Sequence, residues 1–300
     1  MNRKQTAIRQ STRDKLYLTF VYAFLILCLI VVAYPLVYIV SSSLSSSRAV
    51  ISGRVWLLPV EPTLKGYRAV FENAQIIKGY ANSIFYTVIG TAINVAFTIA
   101  AAYPLSRKDF FGRNVIMGLI VFTMLFSGGL IPYYLTVKQL GLLDTRWAMI
   151  LPGALAAYQV ILARTFFQTS IPAELTEAAH LDGCGDANFL LRVVIPLSKP
   201  IIAVLTLMYA IGHWNAYFDA LIFLKSPELY PLQLVLRNIL ILNSIDETMV
   251  KDVKELAARQ DLKELLKYSL IVVASAPVLL IYPFVQRHFA KGLLLGSLKG

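Results

Sequence analysis

Twenty-five consecutive residues, Leu16 to Val40, pass without one charged side chain. At about 1.5 Å of rise per residue, a helix of that length crosses the roughly 30 Å hydrocarbon core of a bilayer with residues to spare. The rest of the chain is of the same kind: over 300 residues the mean hydropathy is +0.65, and only 15% of positions are charged. That is outside the range of soluble globular domains, and the chain reads as a membrane protein. The run is longer than the 7 to 15 apolar residues typical of a cleaved signal peptide, so it is expected to stay in the mature protein.

In lipid every backbone polar group must be satisfied within the protein, which points to helices. Five further stretches free of Lys and Arg are candidate spans: Ala81–Leu105, Asn114–Val137, Trp147–Ala163, Ile201–Leu224 and Tyr268–Gln286. The expectation is an all-α polytopic protein with six transmembrane helices. Residues 1–15 form an N-terminal segment, 16–286 the membrane domain and 287–300 a C-terminal tail. The fourth span is the shortest and carries Pro152 and Gly153, so a kink is expected there. The SSSLSSS run at Ser41 reads as a polar exit from the first span.

An even number of spans puts both termini on one side. Arg3, Lys4, Arg9, Arg13 and Lys15 precede the first span, and Arg107, Lys108 and Arg113 follow the second. By the positive-inside rule these face the cytoplasm, as does the long polar loop 164–200 between the fourth and fifth spans. Among the outer segments, KDVKELAARQDLKELLK alternates its charges at helical spacing and reads as a solvated surface helix.

The net charge of +11 is spread over loops and forms no patch that would track phosphates, so nucleic acid is not an expected partner. Cys28 and Cys184 lie in different environments and read as free thiols. No nucleotide-binding glycine loop, no paired histidines and no cysteine pairs at metal-ligand spacing occur. No metal or cofactor is expected on this chain.

The loop from Glu174 to Pro200 stands out for its polarity. Pro172 suits a first helical turn, Glu174 and Glu177 suit the positive end of a helix, and Gly183 suits a left-handed terminus. A second short helix can open with Asp186 as its N-cap and stop before Pro196. Ala178 and Ala179 would let another surface approach closely, with Glu177 as a charge to register it. From the pattern alone the loop is either a connector or a docking surface.

Inside the fifth span, Asp219 is a costly residue that needs a partner or a purpose. Asn215 is expected one turn earlier on the same face, with Tyr209, His213 and Tyr217 on another stripe and Trp214 offering an aromatic plane. Two readings stand: His213, Trp214, Asn215, Tyr217 and Asp219 line a substrate pathway, or they hold helices together and form an interfacial belt.

The loop resembles the EAA loop of permease subunits from ATP-binding-cassette importers, whose pattern is E-A-A, three residues, G, nine residues, I-x-L-P. Glu177, Ala178, Ala179, Gly183 and Pro196 fall in register, with Val193 and Ile195 as conservative departures, and Asp182 matches the carbohydrate-importing branch. AAYPLSRKDFFGR, FSGGLIPYYL, LPGALAAYQVILARTFF, IGHWNAYFDAL, YPLQLVLRNIL and KGLLLGSLKG extend the resemblance over nearly the whole chain, towards permeases related to the maltose system that handle complex oligosaccharides. The resemblance implies the type I importer permease fold. It also implies a second homologous permease, giving a heterodimer, two ATPase subunits that bind ATP and Mg, and an extracellular solute-binding protein. It assigns Glu177, Ala178, Ala179, Asp182, Gly183 and Pro196 to ATPase coupling, and a tail with Lys291, Gly292, Lys299 and Gly300 to contact with the ATPase. The protein would then be a transporter subunit and not an enzyme.

The expected cargo is a complex oligosaccharide, with uronic acids favoured by Arg48, Arg54, Lys65, Arg68 and Lys78 in the first outer loop. A simple di- or trisaccharide, or another polar solute, is the alternative. A membrane-embedded enzyme or a scaffold is the rival class, and an enzyme would require clustered carboxylates, a nucleophile with a base, or metal ligands.

Overall fold

A computed structural model describes residues 11–241, 264 and 266–280. Among the described residues the regular elements are all helices, with no strand. These described residues fall into two compact units, 11–70 with 264 and 266–272, and 71–241 with 273–280.

The first unit contains α1 (Thr12–Ser43), a 32-residue helix, and α2 (Ser47–Ile51). The apolar length of α1 is exposed along all its faces, and its buried residues are Ser41, Ser42 and Ser43. This corrects the reading of the serine run as a simple exit. Ser41 Oγ donates to the Leu57 carbonyl at 2.7 Å, Ser45 Oγ accepts from Val60 N at 3.0 Å, and Ser43 Oγ lies 2.8 Å from Tyr67 Oη. The hydroxyls satisfy the backbone of the returning loop, whose Val55 packs with Ala49 and Val50.

α3 (Lys65–Glu72) leads to the second unit, which is organised around α4 (Ala74–Ser106). Asn73 caps α4 by accepting from Gln75 N and Ile76 N. Next come α5 (Arg113–Leu125) and α6 (Leu130–Gln139), which meet at 117° across Phe126–Gly129, where Gly129 takes φ +85. α7 (Ala157–Ser170), α8 (Ala173–Leu181), α9 (Asp186–Phe189) and α10 (Ile195–Leu197) precede α11 (Lys199–Asn215). α12 (Phe218–Phe223), α13 (Leu232–Ile241) and α14 (Leu266–Leu280) follow.

By length and composition, α1 and α4 can each cross a bilayer alone, and the bent pairs α5 with α6 and 186–197 with α11 raise the total to four among the described residues. The described residues thus show fewer than the six continuous spans expected. The fourth expected span breaks up: a 3-10 turn at Arg146–Met149 is followed by irregular chain until α7 begins at Ala157. Pro152 lacks the N–H that a helix needs there, and the Gly153 carbonyl turns instead to Asn94. The fifth span stops at Asn215, because Ala216 and Tyr217 leave helical geometry before α12 starts. Asn215 and Asp219 thus do not share a helical face, and Tyr217 drops off the Tyr209–His213 stripe. Only 268–280 of the sixth span lies within the described residues; its last residues, the 251–263 segment and the tail lie outside them.

α4 packs mainly on α11, α7 and α13. Its buried side is polar to an unusual degree, carrying Asn82, Ser83, Tyr86, Thr91, Asn94 and Thr98. Below this seam, Ile99, Ala102, Tyr103 and Leu105 join Val160, Ala163 and Phe167 of α7 and Leu205 of α11 in an apolar core.

Candidate coupling surface

The loop after α7 folds into a helix, a glycine turn and a second helix. Pro172 sits just ahead of α8 as its N-cap, one place earlier than expected, and Glu174 occupies the first turn. At the far end Gly183 adopts φ +75, donates its N–H to the His180 carbonyl at 3.0 Å, and is followed by Cys184 N donating to the Ala179 carbonyl at 2.8 Å. These two bonds make a Schellman termination, which requires a left-handed residue at this place. Ala179 and Cys184 pack on the α4–α7–α11 core and hold the turn against it. Ala179 is therefore half-buried towards its own protein, whereas Ala178 is exposed.

What remains outward is Glu174, Leu175, Glu177, Ala178 and Leu181, with Leu181 89% exposed. Leu181 lies four residues after Glu177 and thus on the same face. An apolar side chain standing almost fully in the open beside a carboxylate and a methyl group makes a surface with shape and charge. The spacing from Glu177 could have flagged Leu181 in the sequence, but the EAA pattern draws attention elsewhere.

The helix that opens at Asp186 has Gly185, not Asp186, as its N-cap, and it does not stop before Pro196. It continues through a π turn at Leu190–Val194 into α10, which contains Pro196. The wider turn relaxes the backbone pairing that a proline would otherwise break. Asp182 is the C-cap of α8 and is exposed.

Sequence reasoning missed the residue that fastens this loop. Arg107, at the end of α4, donates through Nε to Asp109 Oδ1 at 2.9 Å, through Nη2 to Asp109 Oδ2 at 2.5 Å, and through Nη1 to Tyr103 Oη at 3.3 Å. The same Nη1 also donates to Asp186 Oδ1, which accepts from His180 Nε2 at 3.3 Å. The Asp186 carboxyl is held below the usual range by the His180 hydrogen bond first and by Arg107 in addition. Asp109 is lowered by its bond to Arg107, and the guanidinium is pushed up chiefly by Asp109. In the sequence Arg107 reads only as one more positive-inside charge, since its partner lies 79 residues away.

The polar residues expected in the fifth span separate into two groups. His213 and Tyr209 turn towards α4: Asn94 Nδ2 donates to His213 Nε2 at 3.1 Å and to the Gly153 carbonyl at 3.2 Å, and Thr98 Oγ1 pairs with Tyr209 Oη at 2.7 Å. Trp214 is buried, donates Nε1–H to the Ala274 carbonyl at 3.0 Å and meets Tyr80 edge-on, so its plane is not offered as a stacking platform. Asn215 bonds back to the Ile211 carbonyl of its own helix. Asn215 and Tyr217 are exposed and Asp219 is half-buried.

Residues 94–294 match the family model described as binding-protein-dependent transport system inner membrane component. The chain belongs to this family. Among curated relatives of this inner membrane component, the polygalacturonan/rhamnogalacturonan transport system permease protein YtcP of Bacillus subtilis (strain 168) is 43% identical over 289 residues, covering 96% of this chain and all of that one. Protein LplC of the same organism is 42% identical over 266 residues, 89% of either chain. Among solved structures, a chain of a bacterial ABC transporter involved in the import of the acidic polysaccharide alginate superposes with a TM-score of 0.85 at 36% identity, covering 93% of this chain and 99% of that one. The inner membrane component described here thus has the type I importer permease fold. It is a transporter subunit and not an enzyme, and as a member of a binding-protein-dependent system it works with ATPase and solute-binding partners.

Proposed function

We propose that this permease subunit carries a uronate-containing oligosaccharide into the cell, with the outward face of α8 as the surface on which an ATPase subunit docks. The observation that carries the docking assignment is the exposed Glu177, Ala178 and Leu181 face, held at a fixed angle by the Schellman turn at Gly183. Asp182 and Pro196 frame that element and act through its shape. The cargo assignment is supported by a relative named for polygalacturonan and rhamnogalacturonan transport and by a similar solved transporter that imports the acidic polysaccharide alginate.

In this reading the chain crosses the membrane six times with both termini in the cytoplasm, some crossings being made by broken helices. It pairs with a second, non-identical permease. ATP and Mg are bound by the ATPase subunits, and no cofactor resides here. The tail with Lys291, Gly292, Lys299 and Gly300 reaches the ATPase. His213 and Trp214 brace the pathway from behind, while Asn215, Tyr217 and Asp219 face it. ATPase closure moves α8 as a rigid element, and the two permeases alternate between inward-open and outward-open states.

The test is Glu177→Lys in the assembled complex. A like charge at a partly desolvated interface costs several kcal/mol, so the variant should insert normally but fail to co-purify with its ATPase. Full ATPase retention and unchanged uptake of an oligogalacturonide would show that the loop is a connector. Capture of neutral disaccharides alone by the solute-binding protein would overturn the cargo assignment.

A further inference from the structure

We propose that Arg107 is a positioning residue for coupling, tying the α8–α9 turn through Asp186 to the end of α4 so that movement of the docked helix passes into the bundle. The proposal rests on the reading of α8 as the docking helix.

The argument starts from the end of α4. A helix terminus leaves its last carbonyls without intrahelical partners. Here each of three successive carbonyls receives a side chain from another helix or its approach: Leu105 O accepts from Arg164 Nε at 3.0 Å, Ser106 O from Gln168 Nε2 at 3.4 Å, and Arg107 O from Arg113 Nη1 at 3.0 Å. Two of these donors are cations placed at the negative end of the helix dipole. The backbone of Arg107 is thereby bound to α5, while the carbonyls just before it are bound to α7.

The side chain of Arg107 starts from this fixed base and is itself only 15% exposed. Asp109 takes one edge of the guanidinium fork, leaving Nη1 directed between Tyr103 and Asp186. Asp186 lies in the first turn of α9, where the helix dipole favours a carboxylate. The same Asp186 oxygen accepts from His180 in the last turn of α8. One carboxylate therefore joins three elements: the end of α4, the end of α8 and the start of α9.

Asp186 is 64% exposed, and an ion pair with so open a partner adds little to folding stability. Its geometry gives it a different use. α8 has no buried residue, so apart from Ala179 and Cys184 at its C-terminal end it has little packing through which to push or pull. Arg107 supplies a directional, charge-assisted link from that end of α8 to α4. α4 in turn is the helix against which α7, α11 and α13 pack.

The experiment uses the complete complex of permeases, ATPases and solute-binding protein in proteoliposomes, with an oligogalacturonide as the transported probe. Asp186→Asn and Arg107→Gln should each lower sugar moved per ATP hydrolysed by about tenfold, the worth of one charged hydrogen bond, with the ATPase still attached. The double variant should be no worse than either single one, and Asp186→Glu should recover at least half of the loss. An unchanged ratio in Asp186→Asn, multiplicative losses in the double variant, or loss of the ATPase from Asp186→Asn would each overturn the proposal. Glu177→Lys run in parallel separates the two readings: if it keeps its ATPase, the docking assignment fails. If it loses the ATPase while Asp186→Asn couples normally, only the link is wrong.

Discussion

α1 and α4 are of nearly equal length, 32 and 33 residues, yet they have opposite surroundings. α1 is the more apolar, and none of its most apolar window is buried. α4 is less apolar and buries a third of the corresponding window, on a side that carries Asn82, Ser83, Tyr86, Thr91, Asn94 and Thr98. In water the oily helix would go inside. In lipid the hydrophobic effect no longer distinguishes the protein interior from its surroundings, so close packing and hydrogen bonds between helices decide which helix faces are buried. The seam on α4 is also neutral, because a buried unpaired charge would cost far more than a hydroxyl or an amide.

The sharpest way to break this comparison is at Gly90. A Cβ built there would lie 2.5 Å from His213 Nε2, with two further ring atoms within 2.9 Å. The imidazole is held by Asn94, and the Asn94 amide is fixed by the Gly153 carbonyl, so displacing the ring would strain or break that bond. Gly90→Ala should destabilise the protein by about 3 kcal/mol, the upper end for overpacking, read as a lowered melting temperature of the purified complex. His213→Ala in the same chain should return part of that loss.

The next effect is smaller because it removes a bond without adding a clash. Tyr209 Oη pairs with Thr98 Oγ1 at 2.7 Å and accepts from Ala156 N at 3.4 Å. Tyr209→Phe should cost about 1 to 2 kcal/mol, the upper range for hydrogen bonds between membrane helices, and Thr98→Val less, since it strands only one group. The double variant should be no worse than Tyr209→Phe alone. Additive losses in thermal unfolding would mean that the two residues act separately.

How much of this could be read beforehand depends on the range of the interaction. Leu16–Val40 and Ala81–Leu105 were legible because a bilayer imposes a length, and the α8 turn because Gly183 and the residues before it are local signals. The breaks at Pro152 and Ala216 were less so: the apolar run continues through both, and only tertiary partners such as Asn94 show that the backbone has left the helix. Arg107 with Asp186, and Gly90 with His213, join residues far apart in sequence, and no periodicity announces them. Pro196 misled for the opposite reason, because a π turn absorbed what a proline normally interrupts.

Gly183 sharpens the comparison with Gly90, since the two glycines are needed for different reasons. Around Gly183 a Cβ would meet nothing within 4 Å, but φ is +75. The expected cost of Gly183→Ala is therefore only the left-handed strain, about 1 kcal/mol. It should appear as weakened ATPase affinity with unchanged melting of the membrane portion. Equal losses in both measurements would show that the turn supports the fold and not the docking face.

Charge enters at the ends of the apolar segments, and Asp144 shows its smaller, pH-dependent share. At φ +57 it accepts from Lys225 N at 2.8 Å, Ser226 N at 2.9 Å and Ser226 Oγ at 2.6 Å. The Ser226 hydroxyl is the first cause that holds its carboxyl below the usual value. A depressed carboxylate contributes stability that is complete above its unfolded pKa, about 3.9, and is lost as pH falls through the lower folded value. The gap in melting temperature between wild type and Asp144→Asn should therefore be constant from pH 5 to 8 and close below about pH 4. A gap that widens on acidification would reverse the sign and refute this account.

The smallest effect belongs to α1, and it tests the comparison from the other side. Leu25, Leu29, Ile30 and Leu36 are more than half exposed, so truncating any of them removes little packing among the described residues. A side chain that touches lipid when folded and lipid when the helix stands alone gains nothing from folding, whatever its hydropathy. Single alanine substitutions at these four positions should each change stability by less than about 0.5 kcal/mol, the usual range for surface sites. In the complete complex the same flat profile is expected, because the apolar surface extends around the helix without a preferred face. A loss confined to Leu25, Leu29 and Leu36, with Ile30 unaffected, would trace one face of the helix. That face would then be packed against another subunit, and α1 would be no more a purely lipid-facing helix than α4.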